Sequence, residues 1–216
     1  MVSDIRGIIF DLDGVIADSH PVHEKAWRVL LQEAGRSVSD VELAAAVRTG
    51  KTRGEILKTL LPDRDAVALG ERKNQLYYEN AQQLRPVAGV IEWIKELREL
   101  SVPLAVATSV SRSRAFDTLT RFGLENTFEA VITSSEIPAG KPDPALFLAA
   151  AAALRTKPAE TLVIEDSPAG VDAARAAGMP CVCYTPEGCS AAELTIADFS
   201  VDSLAPIMRR IALEAA

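Results

Sequence analysis

Between residues 86 and 184, short apolar runs alternate with helical stretches, and no other feature constrains the fold of this chain as tightly. Runs at 103–108, 130–133, 161–165 and 181–184 read as strands, while segments 90–100, 112–122, 144–154 and 169–177 read as helices. The runs are apolar almost throughout, the pattern of strands covered on both faces. One more run of this kind, Gly7-Ile8-Ile9-Phe10, stands apart near the start of the chain. From Pro21 to Leu84 the signals are helical, with no convincing strand. Helices are predicted from about His23 to Leu31, closed by Gly35; from Ser39-Asp40 to Val47; from a Thr52 cap to Leu60; and from Asp65 or Ala66 to near Leu84. The expected architecture is an α/β core with a Rossmann-like parallel sheet, made of residues 1–17 and 86–216 and interrupted by an all-helical unit at 18–85.

In an open parallel sheet, ligands bind beyond the carboxyl ends of the strands, so the residues that terminate each strand are the ones to compare. The first strand ends in Asp11-Leu12-Asp13-Gly14. Strand side chains two apart share a side, and Gly14 marks a turn, so the two carboxylates surround one small space. One carboxylate can attack phosphorus while the other handles protons. The run at 103–108 ends in Thr108-Ser109, where a hydroxyl and backbone N–H groups at a helix start can donate to phosphoryl oxygens. Gly140-Lys141-Pro142-Asp143-Pro144 leads into a helix, and Lys141 supplies positive charge to offset that of a transferring group. Asp166, in Glu165-Asp166-Ser167, can join Asp11 and the carbonyl of Asp13 in an oxygen shell for magnesium. Singly, each element is explained as well by a helix cap, a solvated turn or a loop lysine. Together, at the ends of strands in one sheet, they make a phosphate-and-metal site.

Composition narrows the classes further. A formal charge of −7 argues against nucleic acid as a partner, and the longest apolar runs are far too short to span a bilayer. Asp11 and Asp13 interrupt the opening apolar stretch before it reaches the length of a secretory signal, so a cytoplasmic location is expected. Cys181, Cys183 and Cys189 cluster near one late strand with no histidine at zinc-site spacing, and they read as packing thiols. A monomer is the expectation.

Asp11-Leu12-Asp13-Gly14-Val15, Ala107-Thr108-Ser109, Lys141-Pro142-Asp143-Pro144 and Ile164-Glu165-Asp166-Ser167-Pro168-Ala169-Gly170 resemble, in order, the four signature motifs of the haloacid dehalogenase-like (HAD) phosphotransferases. The resemblance spans nearly the whole chain. It is nearest to the branch of β-phosphoglucomutase and the sugar-phosphate phosphatases, which carries a helical cap inserted after the first motif. The resemblance implies that Asp11 is a nucleophile forming an aspartyl phosphate, that Asp13 is the acid and base, that magnesium is the cofactor and that the site takes a small phosphorylated metabolite. Asp11, Asp13 and Asp166 would then hold the metal, with Glu165 binding it directly or through water. A second aspartate at position 13 also sets the chain apart from true haloacid dehalogenases and from phosphonate hydrolases.

The same resemblance implies substrate recognition by His23, Gly50-Lys51-Thr52-Arg53, Lys73 and Asn74 in the helical unit, with Thr108, Ser109 and Lys141 on the phosphoryl group. Arg53 has the planar fork to clamp a second anionic group. A departure lies after Thr108-Ser109, where Val110-Ser111-Arg112 stands in place of the serine and lysine with which the mutase holds the second phosphate. A mutase must retain its bisphosphate, whereas a phosphatase need only admit water. The expected function is therefore a magnesium-dependent phosphatase of a sugar or polyol phosphate. β-Phosphoglucomutase, phosphoglycolate phosphatase and an idle binding module of the same fold are the alternatives.

Overall fold

A strand whose neighbours are all non-local must wait for the rest of the chain, and that is the situation of the first one here. The computed structural model describes residues 4–47, 53–137, 139–184, 194–196 and 199–211. In chain order the elements begin with β1 (Gly7–Phe10), β2 (Ala17–Asp18), α1 (His20–Glu33), α2 (Asp40–Val47), α3 (Arg53–Leu60), α4 (Ala66–Asn80) and β3 (Arg85–Pro86). They continue through α5 (Val90–Glu99), β4 (Leu104–Thr108), α6 (Arg112–Arg121), β5 (Ala130–Thr133), α7 (Ala145–Leu154) and β6 (Thr161–Glu165). The series closes with α8 (Pro168–Ala176), β7 (Cys181–Tyr184), β8 (Leu194–Ile196) and α9 (Val201–Met208). Two compact units result, Met1–Ala17 with Pro86–Ala216, and Asp18–Arg85. The two-residue strands β2 and β3 pair with each other in a small sheet.

The first unit is built on a six-stranded sheet in the order β5-β4-β1-β6-β7-β8, every pair parallel. The fold is an α/β parallel sheet with helices on both faces. Alternation along β1 sends Ile8 and Phe10 into one core and Ile9 into the other. On the first face, Val90, Trp93, Ile94 and Leu97 of α5 recur at helical spacing and are buried. Phe10 meets Trp93 edge-on at 5.5 Å between ring centroids. On the second face, Ala105, Ala107 and Val163 pack with Leu146, Phe147 and Ala150 of α7 and with Val171 and Ala174 of α8. Small side chains on both sides let these helices lie close to the strands.

Register sets the chemistry. Phe10 lies opposite Val106 on β4 and Ile164 on β6, so the next residue, Asp11, is level with Ala107 and Glu165. The Asp11 N–H extends the ladder by donating to the Ile164 carbonyl at 2.9 Å. Gly14 then turns the chain with φ at 82°, a left-handed conformation that glycine adopts without steric cost.

In the second unit, α1 buries Val22, Ala26, Trp27, Leu30 and Leu31, and α4 buries Leu76 and Tyr77. Asp65 caps α4 by accepting from the Val67 and Ala68 N–H groups at 2.9 and 3.2 Å. Arg72 forks onto both oxygens of Glu33, at 2.9 and 2.6 Å, and so ties α4 to α1.

Three features depart from the sequence reading. The sheet has a sixth strand, β8, followed by α9. Three residues of β8 are too few for a periodic signal, and Pro206 inside α9 masks its helical pattern. The predicted helix reaching Leu84 stops at Asn80 and gives way to a 3-10 turn at Ala81–Gln83. The cysteines are not all packing thiols: Cys181 is a buried thiol, but Cys183 is disulfide-bonded. A strand position says which face a thiol takes, not which thiol it meets. Cys189 lies outside the described residues, as do Gly50, Lys51 and Thr52. Among the described residues, no helix is long and apolar enough to cross a membrane.

Because Phe10 joins β1 to α5 through a buried aromatic contact, Phe10→Ala should cost about 3–5 kcal/mol. Thermal unfolding would then show a Tm lower by roughly 6–20 °C.

Candidate active site

Lys141, in the loop before α7, places its ammonium 2.5 Å from Asp11 Oδ1 and 2.6 Å from Glu165 Oε1, with the Ala107 carbonyl at 3.3 Å. The lysine side chain is buried, and its Nζ lies 4.8 Å from the centre of the Phe147 ring. One residue thus bridges the ends of β1, β4 and β6. The other oxygen of Glu165 accepts from the N–H groups of Asp166 and Ser167, at 2.8 and 2.9 Å, and from the Ser167 hydroxyl at 2.9 Å. Ser167 also caps α8 by accepting from the Gly170 N–H at 3.1 Å. Helix and carboxylate are packed so closely that a Cβ on Gly170 would fall 1.9 Å from the Glu165 carboxyl carbon.

These contacts settle where charge resides. Burial raises the pKa of Asp11 well above the ordinary carboxylate value; Glu165 and Asp166 add to the rise and Lys141 opposes it. Burial works against the charge on Lys141, but Asp11 and Glu165 outweigh it and hold the ammonium protonated beyond the ordinary lysine range. For Glu165, burial pushes upward and is overcome by Lys141 and by the donors of Ser167, so its pKa falls below the usual value. Glu165 is therefore the fixed anion of the group.

Asp11, Glu165 and Asp166 each offer a carboxylate oxygen, all within 4.8 Å of one another. Three carboxylates against one ammonium leave an excess of negative charge around an all-oxygen donor set, which fits a hard divalent cation such as magnesium. Four protein donors already occupy Glu165. Asp13 is turned toward Arg114 of α6, whose Nη2 donates to Oδ2 at 2.5 Å. Thr108 is buried and its hydroxyl lies 3.4 Å from the Val110 N–H, while Ser109 is exposed. Arg112, the neighbouring candidate, is held 2.9 Å from Glu136 and lies over the Phe116 ring at 4.7 Å.

Within the helical unit, His23 and Lys73 are brought together: the lysine ammonium contacts His23 Nδ1. Lys73 is buried, with its ammonium 5.5 Å from the ring centres of both Trp27 and Tyr77. His23 stacks on Tyr77 at 4.6 Å. Arg53 lies across α4 where Gly70 leaves room, its Nε only 3.1 Å from where a Cβ would be. Asn74 is exposed. The sequence reading missed Arg114 and quoted Ser167 and Gly170 within a motif without giving either a role. For Arg114 a signal existed, since a basic residue in the first turn of a helix with no acidic neighbour there runs against the helix dipole.

This arrangement of strand ends is that of a phosphoryl-transfer enzyme, and comparison with known proteins agrees. Residues 8–184 match the family described as haloacid dehalogenase-like hydrolase, and the chain belongs to that family. It is 32% identical over 189 residues to the fructose-1-phosphate phosphatase of Escherichia coli, covering 84% of this chain and 97% of that protein. To the β-phosphoglucomutase of Bacillus subtilis it is 31% identical over 187 residues, covering 81% of each. The crystal structure of β-phosphoglucomutase from Clostridium difficile has the same fold, with a TM-score of 0.80 at 24% identity over 95% of this chain and 96% of that one. The chain is thus an enzyme of the HAD phosphatase and phosphomutase type, a phosphoric monoester hydrolase.

Two substitutions test how the site is held. Gly170→Ala should expel the Glu165 carboxylate from its seat and lower both Tm and activity. Glu165→Gln keeps the shape but strips Lys141 of a buried counter-charge, at a cost of about 2–4 kcal/mol near neutral pH. A carboxylate with a depressed folded-state pKa stabilises above its unfolded pKa and loses that contribution as pH falls through its folded value. The gap in Tm between wild type and Glu165→Gln should therefore shrink in melts taken at progressively acid pH.

Proposed function

We propose that the chain is a magnesium-dependent phosphatase of a small sugar or polyol phosphate, working through an aspartyl-phosphate intermediate. The observation that carries this reading is the Asp11 carboxylate at the end of β1, gripped by a buried ammonium and followed two residues later by a second aspartate. In the first half-reaction an Asp11 oxygen forms a bond to phosphorus as the bond to the leaving alcohol breaks, and Asp13 gives that oxygen its proton. In the second, Asp13 takes a proton from water as the water oxygen bonds to phosphorus, which frees phosphate and returns Asp11. Lys141 offsets charge on the phosphoryl oxygens, with Thr108 and Ser109 as further donors. Asp11, Asp166 and the carbonyl of Asp13 would hold the magnesium, with Glu165 bracing Lys141 beside it. Bound there, magnesium would supply electrostatic stabilisation of the transferring group.

Selectivity is assigned to the helical unit at 18–85, through His23, Lys73, Arg53 and Asn74. The β-phosphoglucomutase relative supports a second reading, intramolecular phosphoryl transfer. Against it, Val110 is apolar and Arg112 is engaged by Glu136, so a second phosphate grip in this loop is weakly provided.

With magnesium and a panel of sugar, polyol and two-carbon acid phosphates, inorganic phosphate should be released with a clear preferred substrate, and chelation should abolish the release. β-Glucose 1-phosphate with a trace of the 1,6-bisphosphate should give phosphate rather than glucose 6-phosphate; the reverse would establish the mutase. Asp11→Asn should lose at least about 10³-fold in kcat, and retention of activity would remove the aspartyl-phosphate mechanism.

A further inference from the structure

We infer that Arg114 is a positioning residue for the proton-transferring carboxylate, holding Asp13 in the orientation in which it serves the leaving group; the inference rests on the reading of Asp13 as the acid and base. Arg114 Nη2 donates to Asp13 Oδ2 at 2.5 Å, and both side chains are largely sequestered, 15% and 26% exposed. The two are 101 residues apart in sequence, and both belong to the α/β unit. The pair joins the turn after β1 to the first turn of α6.

Local energetics argue that this arginine is present for that contact. Arg114 sits in the first turn of α6, where the unsatisfied N–H groups carry partial positive charge and a basic side chain is disfavoured. The turn contains no acidic residue to compensate. Its other arginine, Arg112, is matched by Glu136, which accepts at 2.9 Å from the loop after β5. Arg114 is matched from outside its own helix, by Asp13 on the turn after β1. A residue that breaks a local rule and is compensated at the catalytic carboxylate belongs to the site's construction.

An aspartate side chain rotates about two torsions, and a general acid acts only from within hydrogen-bond reach of the oxygen it protonates. The hydrogen bond from Arg114 Nη2 holds one carboxylate oxygen, Oδ2, and so restrains the rotation of the group. Arg114 touches neither phosphorus nor the leaving oxygen in this scheme. It acts through Asp13, so its effect should track the demand for a general acid. An alkyl phosphate expels a strongly basic alkoxide and needs the proton; p-nitrophenyl phosphate expels a weakly basic phenolate and needs it far less.

The test measures kcat/KM, which reports the steps through departure of the leaving group, for a preferred alkyl phosphate and for p-nitrophenyl phosphate. Arg114→Gln should lower kcat/KM for the alkyl ester about tenfold, a part of the roughly 10²–10⁴-fold that general acid catalysis contributes, and much less for the aryl ester. Arg114→Lys should recover part of the loss with the same selectivity, and it keeps the test open if Arg114→Gln fails to fold. Asp13→Asn is the control: it should show the same selectivity more strongly, and adding Arg114→Gln to it should cost little more. If Asp13→Asn is selective but the Arg114 variants are unchanged, or lose equally on both esters, Arg114 has no positioning role. If Asp13→Asn itself shows no selectivity, the acid-base reading falls and the inference with it.

Discussion

The ammonium of Lys141, buried between Asp11 and Glu165, is the contact on which the site depends. Strand register delivers two carboxylates to adjacent places at the edge of a desolvated sheet, where each would be costly alone. Lys141 makes the placement tolerable. It also gives the two acids different characters: Glu165, fed by Lys141 and by the start of α8, stays ionised, whereas burial keeps Asp11 the more readily protonated. The nucleophile candidate is thus the group whose charge is least satisfied by the protein alone, and that is where a cation and a phosphoryl group have most to contribute.

The packing around Glu165 follows from the same requirement. Its carboxylate sits on the first turn of α8, where backbone N–H groups point at it and the helix dipole favours negative charge. Only a residue without a Cβ can occupy position 170 while that seat is filled. The motif Glu165-Asp166-Ser167-Pro168-Ala169-Gly170 is therefore one device. Ser167 caps and donates, Pro168 begins the helix, Gly170 clears space, and half-buried Asp166 has a carboxylate oxygen within 4.8 Å of one from Asp11.

The helical unit holds a polar cluster of its own. Lys73 and His23 meet against Trp27 and Tyr77, so a cation is kept beneath aromatic faces within a largely apolar bundle. Such a group is costly as pure scaffold, which supports the assignment of selectivity to this unit. Arg53, lying in the gap at Gly70, is held against α4 while remaining exposed.

What the sequence by itself determined is the class of fold and the placing of carboxylates and a lysine at the ends of its strands. Both are written in short-range patterns: continuous apolar runs report burial on two faces, and a polar residue that ends such a run must emerge at the sheet's edge. The three-residue β8 and Pro206-bearing α9 were not legible, because their stability comes from docking and not from local periodicity. Nor was the disulfide of Cys183, which depends on which chain segments meet. Tertiary structure alone decided that Lys141 bridges three strands, that Glu165 is already bound by four donors, and that Arg114 reaches Asp13. The contacts of Lys141 and Arg114 join side chains far apart in sequence, selected by strand register and burial, whereas three of the four Glu165 donors come from the neighbouring Asp166 and Ser167; no local pattern encodes which distant partner will come within hydrogen-bond distance.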